Sequence, residues 1–193
     1  MKELLKQNIA NHISLSEKEM EEFCSLFKEN NIKKKNFLLR EGEVCKFEGF
    51  VTKGLFRVYH IDQNGFEQIL YFAPENWWIT DIDSFTNQKP SQLFIDALED
   101  SEVFLISKKD KELAYTNLPI IEKLFRVMTQ KTHVALQRRI IDNLSKTADQ
   151  RYADFIEKYP NLFQRLTNLQ IAAYLGISHE FLSKIRKKIT NKK

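Results

Sequence analysis

The chain has 193 residues, 30 Lys/Arg against 26 Asp/Glu, and a formal charge of +4. Hydrophobic residues make up 42% and charged residues 29%, with 15 Phe but only 5 Gly and 4 Pro. That mix fits one large or two smaller globular domains and excludes fibrous and disordered classes. No run of about 18 uncharged apolar residues occurs, so no membrane partner is expected. The opening stretch MKELLKQNIANHISLSEKEM has no continuous apolar core, so it is not a signal peptide, and a cytoplasmic location is expected. The two cysteines, Cys24 and Cys45, are expected as reduced thiols. Two thiols with no His cluster do not supply a four-ligand zinc or iron–sulfur site, so neither metal nor cofactor is expected.

Charge is unevenly spread. From Arg138 to Lys193 there are 12 Lys/Arg and 5 Asp/Glu, a balance of +7, which leaves 18 and 21 in the remainder, a balance of −3. A mildly acidic body with a basic end points to a polyanionic partner for that end.

In chain order, residues 1 to about 30 read as helix. Ser16 is a cap, Glu19 its capping-box partner, and Met20, Phe23, Leu26 and Phe27 form one apolar stripe. From Ile32 to Ile106 the pattern changes to short runs rich in Phe, Val, Ile, Tyr and Leu: Phe37–Leu39, Gly49–Val51, Leu55–Ile61, Phe66–Phe72, Phe94–Ala97 and Val103–Ile106. Asp62-Gln63-Asn64-Gly65 is a hairpin turn between two of them. Short strands at this spacing predict an antiparallel sandwich or barrel. Helical period returns at Lys108–Asn117. Pro119 then opens a long helix in which Ile121, Leu124, Met128, Thr132, Ala135 and Arg139 follow an a/d repeat, flanked by Phe125 and Leu136. The repeat is compatible with a helix packed on its own barrel and with a coiled-coil dimer seam. Asp142 to Gln150 is polar and reads as a hinge. Gln150–Lys158 reads as helix, and Tyr159-Pro160-Asn161 breaks it.

The stretch TNLQIAAYLGISHEFLSKIRKK, Thr167 to Lys188, carries the most information. Thr167 caps a helix over Asn168–Leu175. Gly176 ends it, Ile177 fills the turn, and Ser178 caps a second helix from His179, with Leu182, Ile185 and Ile189 inward. Helix, glycine turn and helix form the helix–turn–helix pattern. His179, Glu180, Ser183, Lys184, Lys187 and Lys188 fall largely outside the apolar stripe, and with Thr167, Asn168 and Ser178 at the two helix starts they are the candidate DNA contacts. The start of such a helix meets base edges, where Glu accepts from cytosine and Lys donates to guanine. Lys187, Lys188, Lys192 and Lys193 suit phosphates.

Taken together, these segments resemble the catabolite activator / fumarate–nitrate regulator family of bacterial transcription factors. The resemblance spans nearly the whole chain. It is most specific in LLREGEVCKFEGFVTKGLFRVYHIDQNGFEQIL and TNLQIAAYLGISHEFLSKIRKKI. It implies an α+β fold with an N-terminal antiparallel β-barrel of cyclic-nucleotide-binding type (a double-stranded β-helix), a long dimerisation helix and a C-terminal helix–turn–helix domain. The expected boundaries are 1–117 for the sensor, 118–144 for the dimerisation helix and hinge, and 145–193 for the DNA-binding domain. Gly42, Gly49 and Gly54 would be barrel turns. The family's base-contacting positions fall on His179, Glu180 and Lys184. Two of the family's arginines are thus His and Lys here, so a different target sequence is expected. The sequence ends four residues past Ile189, so any wing should precede the two helices or be absent.

The resemblance departs at the phosphate-binding cassette. The family's Gly-Glu-Leu falls on Thr80, Asp81 and Ile82, and its Arg-Ser on Ser91 and Gln92, so the phosphate arginine is missing. An anionic phosphate in a partly buried site needs a charge partner or a set of donors. Lys89 reads as the only nearby cation, Asp96 would repel a phosphate, and Trp77, Trp78 and Phe94 are expected to crowd the site. The readings left are a filled pocket without ligand and a different, less anionic effector. The implied partners are double-stranded DNA, a second copy of the chain and RNA polymerase, with a small-molecule effector left open. A cupin-like metal enzyme would need several His in the barrel, and only His60 of the four (His12, His60, His133, His179) lies there. A scaffold docking through its terminal helices is a further alternative.

Overall fold

The computed structural model describes residues 2–190, with side chains through Lys188. The chain divides into two compact units. One holds the chain up to Val58 together with Phe72–Thr132, and the other holds Tyr59–Tyr71 with the chain from His133 onward.

In the first unit, α1 (Glu3–Ala10) is followed by α2 (Glu17–Ser25). The Ser16/Glu19 capping box is formed as expected, with Ser16 accepting from the Glu19 amide and Glu19 accepting from the Ser16 amide. The expectation that helix runs to about residue 30 is corrected, because the chain enters strand β1 at Lys28–Ile32. Its first four residues are exposed, so it shows no apolar alternation. It forms because its backbone pairs antiparallel with β8 (Ser101–Ser107), from Lys28↔Leu105 to Ile32↔Ser101.

Between these lie β2 (Phe37–Leu39), β3 (Phe47–Lys53), β4 (Phe56–Ile61), β5 (Glu67–Ala73), β6 (Trp78–Ile79), the short helix α3 (Ile82–Asn87) and β7 (Phe94–Ala97). The strands form two four-stranded sheets, β1-β8-β3-β6 and β2-β7-β4-β5. The β1–β8, β3–β8, β3–β6 and β2–β7 ladders are antiparallel, and non-consecutive neighbours wind the chain back and forth between the sheets, the architecture expected from the strand spacing.

Two of the three expected glycine turns hold. Gly42 and Gly54 have positive φ (85° and 89°), and a Cβ on Gly54 would lie 2.1 Å from Ser101 Oγ. Gly49 is not a turn. It sits inside β3, where a Cβ would meet Leu105, Ile79 and Val103 at about 3 Å, so its role is close packing.

A helical core covers β3 and β8. Phe50, Phe104 and Ile106 pack with Leu5, Phe23 and Phe27, and with α4 (Lys108–Asn117) and the start of α5 (Ile120–Ser145). Trp78 belongs to this core rather than to the cassette. Its ring meets Phe27, Phe50 and Phe125 at 5.3–6.1 Å, and its Nε1 donates to Asn8. Trp77 is exposed. Inside the same unit, Lys111 Nζ lies 2.7 Å from the Glu48 carboxylate and over the Phe125 ring at 3.9 Å. Burial raises the Glu48 pKa above the usual carboxylate range even with Lys111 beside it.

The second unit holds the rest of α5, then α6 (Ala148–Lys158), α7 (Pro160–Phe163), α8 (Asn168–Leu175) and α9 (His179–Thr190). The expected polar hinge over Asp142–Gln150 shrinks to two residues. Helix α5 continues to Ser145, and Thr147 already caps α6 through a box with Gln150. Polar residues there are helix ends, which need capping side chains as a linker does, so composition alone does not separate the two. Pro160, read as a breaker, starts the short α7 from its first position.

Candidate nucleic-acid interface and barrel cassette

The two C-terminal helices form with the expected caps. Thr167 accepts from the Gln170 amide while Gln170 accepts from the Thr167 amide. Gly176 ends α8 in the left-handed region at φ 66°, a conformation that costs glycine nothing. Ser178 Oγ accepts from the Phe181 amide and caps α9. Ile171, Ala172 and Leu175 of α8 are buried, as are Leu182 and Ile185 of α9, so the apolar stripes face inward. His179, Glu180, Lys184, Lys187 and Lys188 are exposed. Glu180 is held ionised, its pKa lowered by its own backbone N–H and by the Ser178 hydroxyl.

Several expected contact residues already have partners in the chain, Thr167 and Ser178 as the two caps. Ser183 is half-buried and donates back to the His179 carbonyl. Asn168 accepts from Arg186. Lys188 lies 3.1 Å from Asp149, an exposed pair that water and salt weaken. Lys192, Lys193 and the Ile189 side chain lie outside the described residues. Sequence reasoning passed over Phe181, an exposed aromatic on the first turn of α9. It also passed over Arg186, whose partner sits 18 residues away.

On α5 the expected seam splits. Ile121 and Leu124 are fully buried in the first unit's own core, so neither stands free for a partner chain, while Met128 is partly buried against it. This corrects their assignment: heptad spacing marks an apolar stripe and does not say what covers it. Thr132 and Ala135 are exposed. Further along the helix, Val134, Leu136, Ile140, Ile141 and Leu144 are exposed too, Leu144 at 83%.

The cassette is closed on itself. Asp81, buried, caps α3 by accepting from the Asp83 and Ser84 amides on Oδ1. Its Oδ2 accepts from Ser91 Oγ at 2.6 Å, so the two residues expected to flank an effector meet directly. Ser91 also accepts from the Leu93 amide. Thr80 Oγ1 donates to the Phe47 carbonyl and lies 3.6 Å from the buried Cys45 thiol. Ile82 and Gln92 are exposed. Lys89 pairs with Asp83 at 2.8 Å. Asp96 is not an unscreened acid. Arg57, from the neighbouring strand β4, grips it through Nε at 2.7 Å and Nη2 at 3.1 Å, a buried bidentate pair. Sequence reasoning missed Arg57 because the two residues are 39 positions apart. Among the described residues no group of three His, Cys, Asp or Glu could hold a metal ion, and no helix is long and apolar enough to cross a membrane.

Residues 29–113 match the cyclic nucleotide-binding domain family. Among solved structures, FixK2 from Bradyrhizobium japonicum is 19% identical and matches with a TM-score of 0.75 over 86% of this chain and 85% of its own. The regulator CLP of Xanthomonas campestris, described as c-di-GMP responsive, shares this fold at 12% identity, TM-score 0.76, over 92% of this chain and 93% of its own. The Thermus thermophilus catabolite activator protein shares it at 19% identity, TM-score 0.57, over 93% and 85%. No curated protein sequence matches the chain. The Asp81–Ser91 bond stands at the cassette positions that the sequence resemblance assigns to the effector.

Proposed function

We propose that this protein is a dimeric, sequence-specific DNA-binding transcription regulator of CRP/FNR type, not an enzyme, with α9 as its recognition helix. The observation that carries this is the capped α8–Gly176–α9 unit, whose apolar faces are buried while His179, Glu180 and Lys184 stand on its outer face. Phosphate contacts from Lys187 and Lys188 would supply affinity without sequence information. The exposed apolar run of α5 from Val134 to Leu144 supports pairing with a second copy, and such a pair would present two recognition helices to one near-palindromic site. The asymmetric charge supports double-stranded DNA as the partner of the C-terminal part, and this reading implies RNA polymerase as a further partner.

The barrel acts as a scaffold or takes an effector unlike a cyclic phosphate. Its α3 amides are already used by Asp81, and an incoming phosphate would meet that buried carboxylate in place of an arginine. A cytoplasmic location goes with this reading. Selection from a pool of random duplexes by the full chain tests it. A recurrent two-half-site sequence is expected, bound at least 10³-fold more tightly than random duplex. A pool with no recurrent sequence after selection refutes it.

A further inference from the structure

One residue of α5 touches both the strand pair and the helix pair of the second unit. Arg139 Nη2 donates to the Ile69 carbonyl of β5 at 2.9 Å and to the Tyr174 carbonyl of α8 at 2.8 Å. Its guanidinium also lies over the Tyr174 ring at 4.2 Å, and that ring packs on Phe155 of α6 at 5.1 Å.

The two carbonyls differ in kind. Tyr174 is in the last turn of α8, where carbonyls lack a partner within the helix and a cation is favoured by the helix dipole. Ile69 belongs to a strand of the β4–β5 hairpin, and β5 runs on along the chain into the first unit at Phe72. A second arginine serves as an internal comparison. Arg151 of α6 donates to the next α8 carbonyl, Leu175, at 3.1 Å, and to the Lys146 and Asn143 carbonyls. Of these bonds, only that from Arg139 to Ile69 reaches the hairpin. Both line a cavity of about 390 Å³ that includes Gln68, Asn143 and Gly176.

We infer that Arg139 is a positioning residue that couples the β4–β5 hairpin to the DNA-reading helices. A strand shift that lengthens the Ile69 bond must either pull the guanidinium from the Tyr174 carbonyl or move the end of α8 with it. The Gly176 turn and α9 follow α8 in the chain. Displacement of the hairpin is thereby read at the recognition helix, and DNA seated on α9 is read back at the hairpin, since coupling between two sites is reciprocal. This rests on the DNA-binding reading for its purpose, though not for its geometry.

Hydrogen exchange on the full chain tests both. Without DNA, Arg139→Ala should speed exchange at the β5 amides and at the end of α8 together, by roughly tenfold for the lost bonds. Arg151→Ala should speed the end of α8 and leave β5 unchanged. With a duplex selected by the wild-type chain, binding should slow exchange at α9 and also at β5. In Arg139→Ala the α9 protection should persist and the β5 response disappear, while Arg151→Ala should keep both. The inference is overturned if β5 in the wild type ignores DNA, if it responds equally in Arg139→Ala, or if Arg151→Ala abolishes the response as well. The DNA-free comparison stands by itself, so a chain that binds no DNA would fail the functional reading while still reporting on the coupling.

Discussion

Two helix starts in this chain look alike locally and face opposite ways. Both α3 and α9 open with a capping side chain, Asp81 and Ser178. At α3 the cap is buried, and its remaining oxygen is taken by Ser91. At α9 the cap leaves a row of exposed polar and charged side chains beyond it. A capped helix start is therefore a closed structural joint or an open reader according to what its second layer of partners does. The barrel as a whole leans to the closed side, since Arg57–Asp96 and Lys111–Glu48 are both ion pairs consumed within the fold. The second unit leans to the open side.

The sharpest way to break this contrast is to remove the pairing that the open side needs. The double substitution Ile140→Glu, Leu144→Glu places charge on the exposed run of α5 and should convert the proposed dimer to monomer in sedimentation experiments. Affinity for a two-half-site duplex should fall by about 10²–10⁴-fold as the second contact ceases to be intramolecular. Leu124→Ala should do the reverse, leaving the dimer intact while destabilising the first unit by about 2–5 kcal/mol in thermal or denaturant unfolding.

On the closed side, Lys111→Met should cost about 3–5 kcal/mol at neutral pH, because it leaves the buried Glu48 carboxylate without its cation. The pH dependence has a definite sign. Glu48 already titrates above the usual carboxylate range because burial disfavours its charged form. The variant's deficit should therefore shrink as pH falls through that raised pKa, where the folded protein takes up the proton. It should grow as pH rises. A deficit independent of pH would show that packing, not the ion pair, sets the cost.

Among the reader residues, Glu180→Ala with Lys184→Ala should lower affinity for the selected duplex by about 10²–10³-fold and relax its sequence preference, with dimerisation unchanged. Asp81→Ala should remove the α3 cap for about 1 kcal/mol of stability and leave DNA affinity untouched. The smallest effect belongs to Lys187→Ala, which should weaken all sequences alike and reduce the salt slope of binding by about one.

Much of this was legible in the sequence where the deciding signal is local. The Ser16/Glu19 box, helix α4, the bounds of α8 and the Gly176 turn each depend on residues within a few positions of one another. What was not legible depends on distant partners. Polar β1 is a strand only because β8 lies beside it. Gly49 is small because Leu105, Ile79 and Val103 close over it. Arg57 answers Asp96 across two neighbouring strands, and Ile121 and Leu124 face a core their heptad spacing cannot distinguish from a partner chain. In the cassette, the family resemblance implied a missing arginine, while the Asp81–Ser91 bond emerged only from the fold.

The central claim, two recognition helices held one DNA turn apart by a dimer, is tested most directly by half-site spacing. The full chain would be titrated against its selected duplex and against the same half-sites moved apart by about five base pairs, half a turn of B-DNA. The account predicts that the insertion reduces affinity to that of a single half-site and that a further five base pairs restores part of it. Equal affinity for all three duplexes would contradict it.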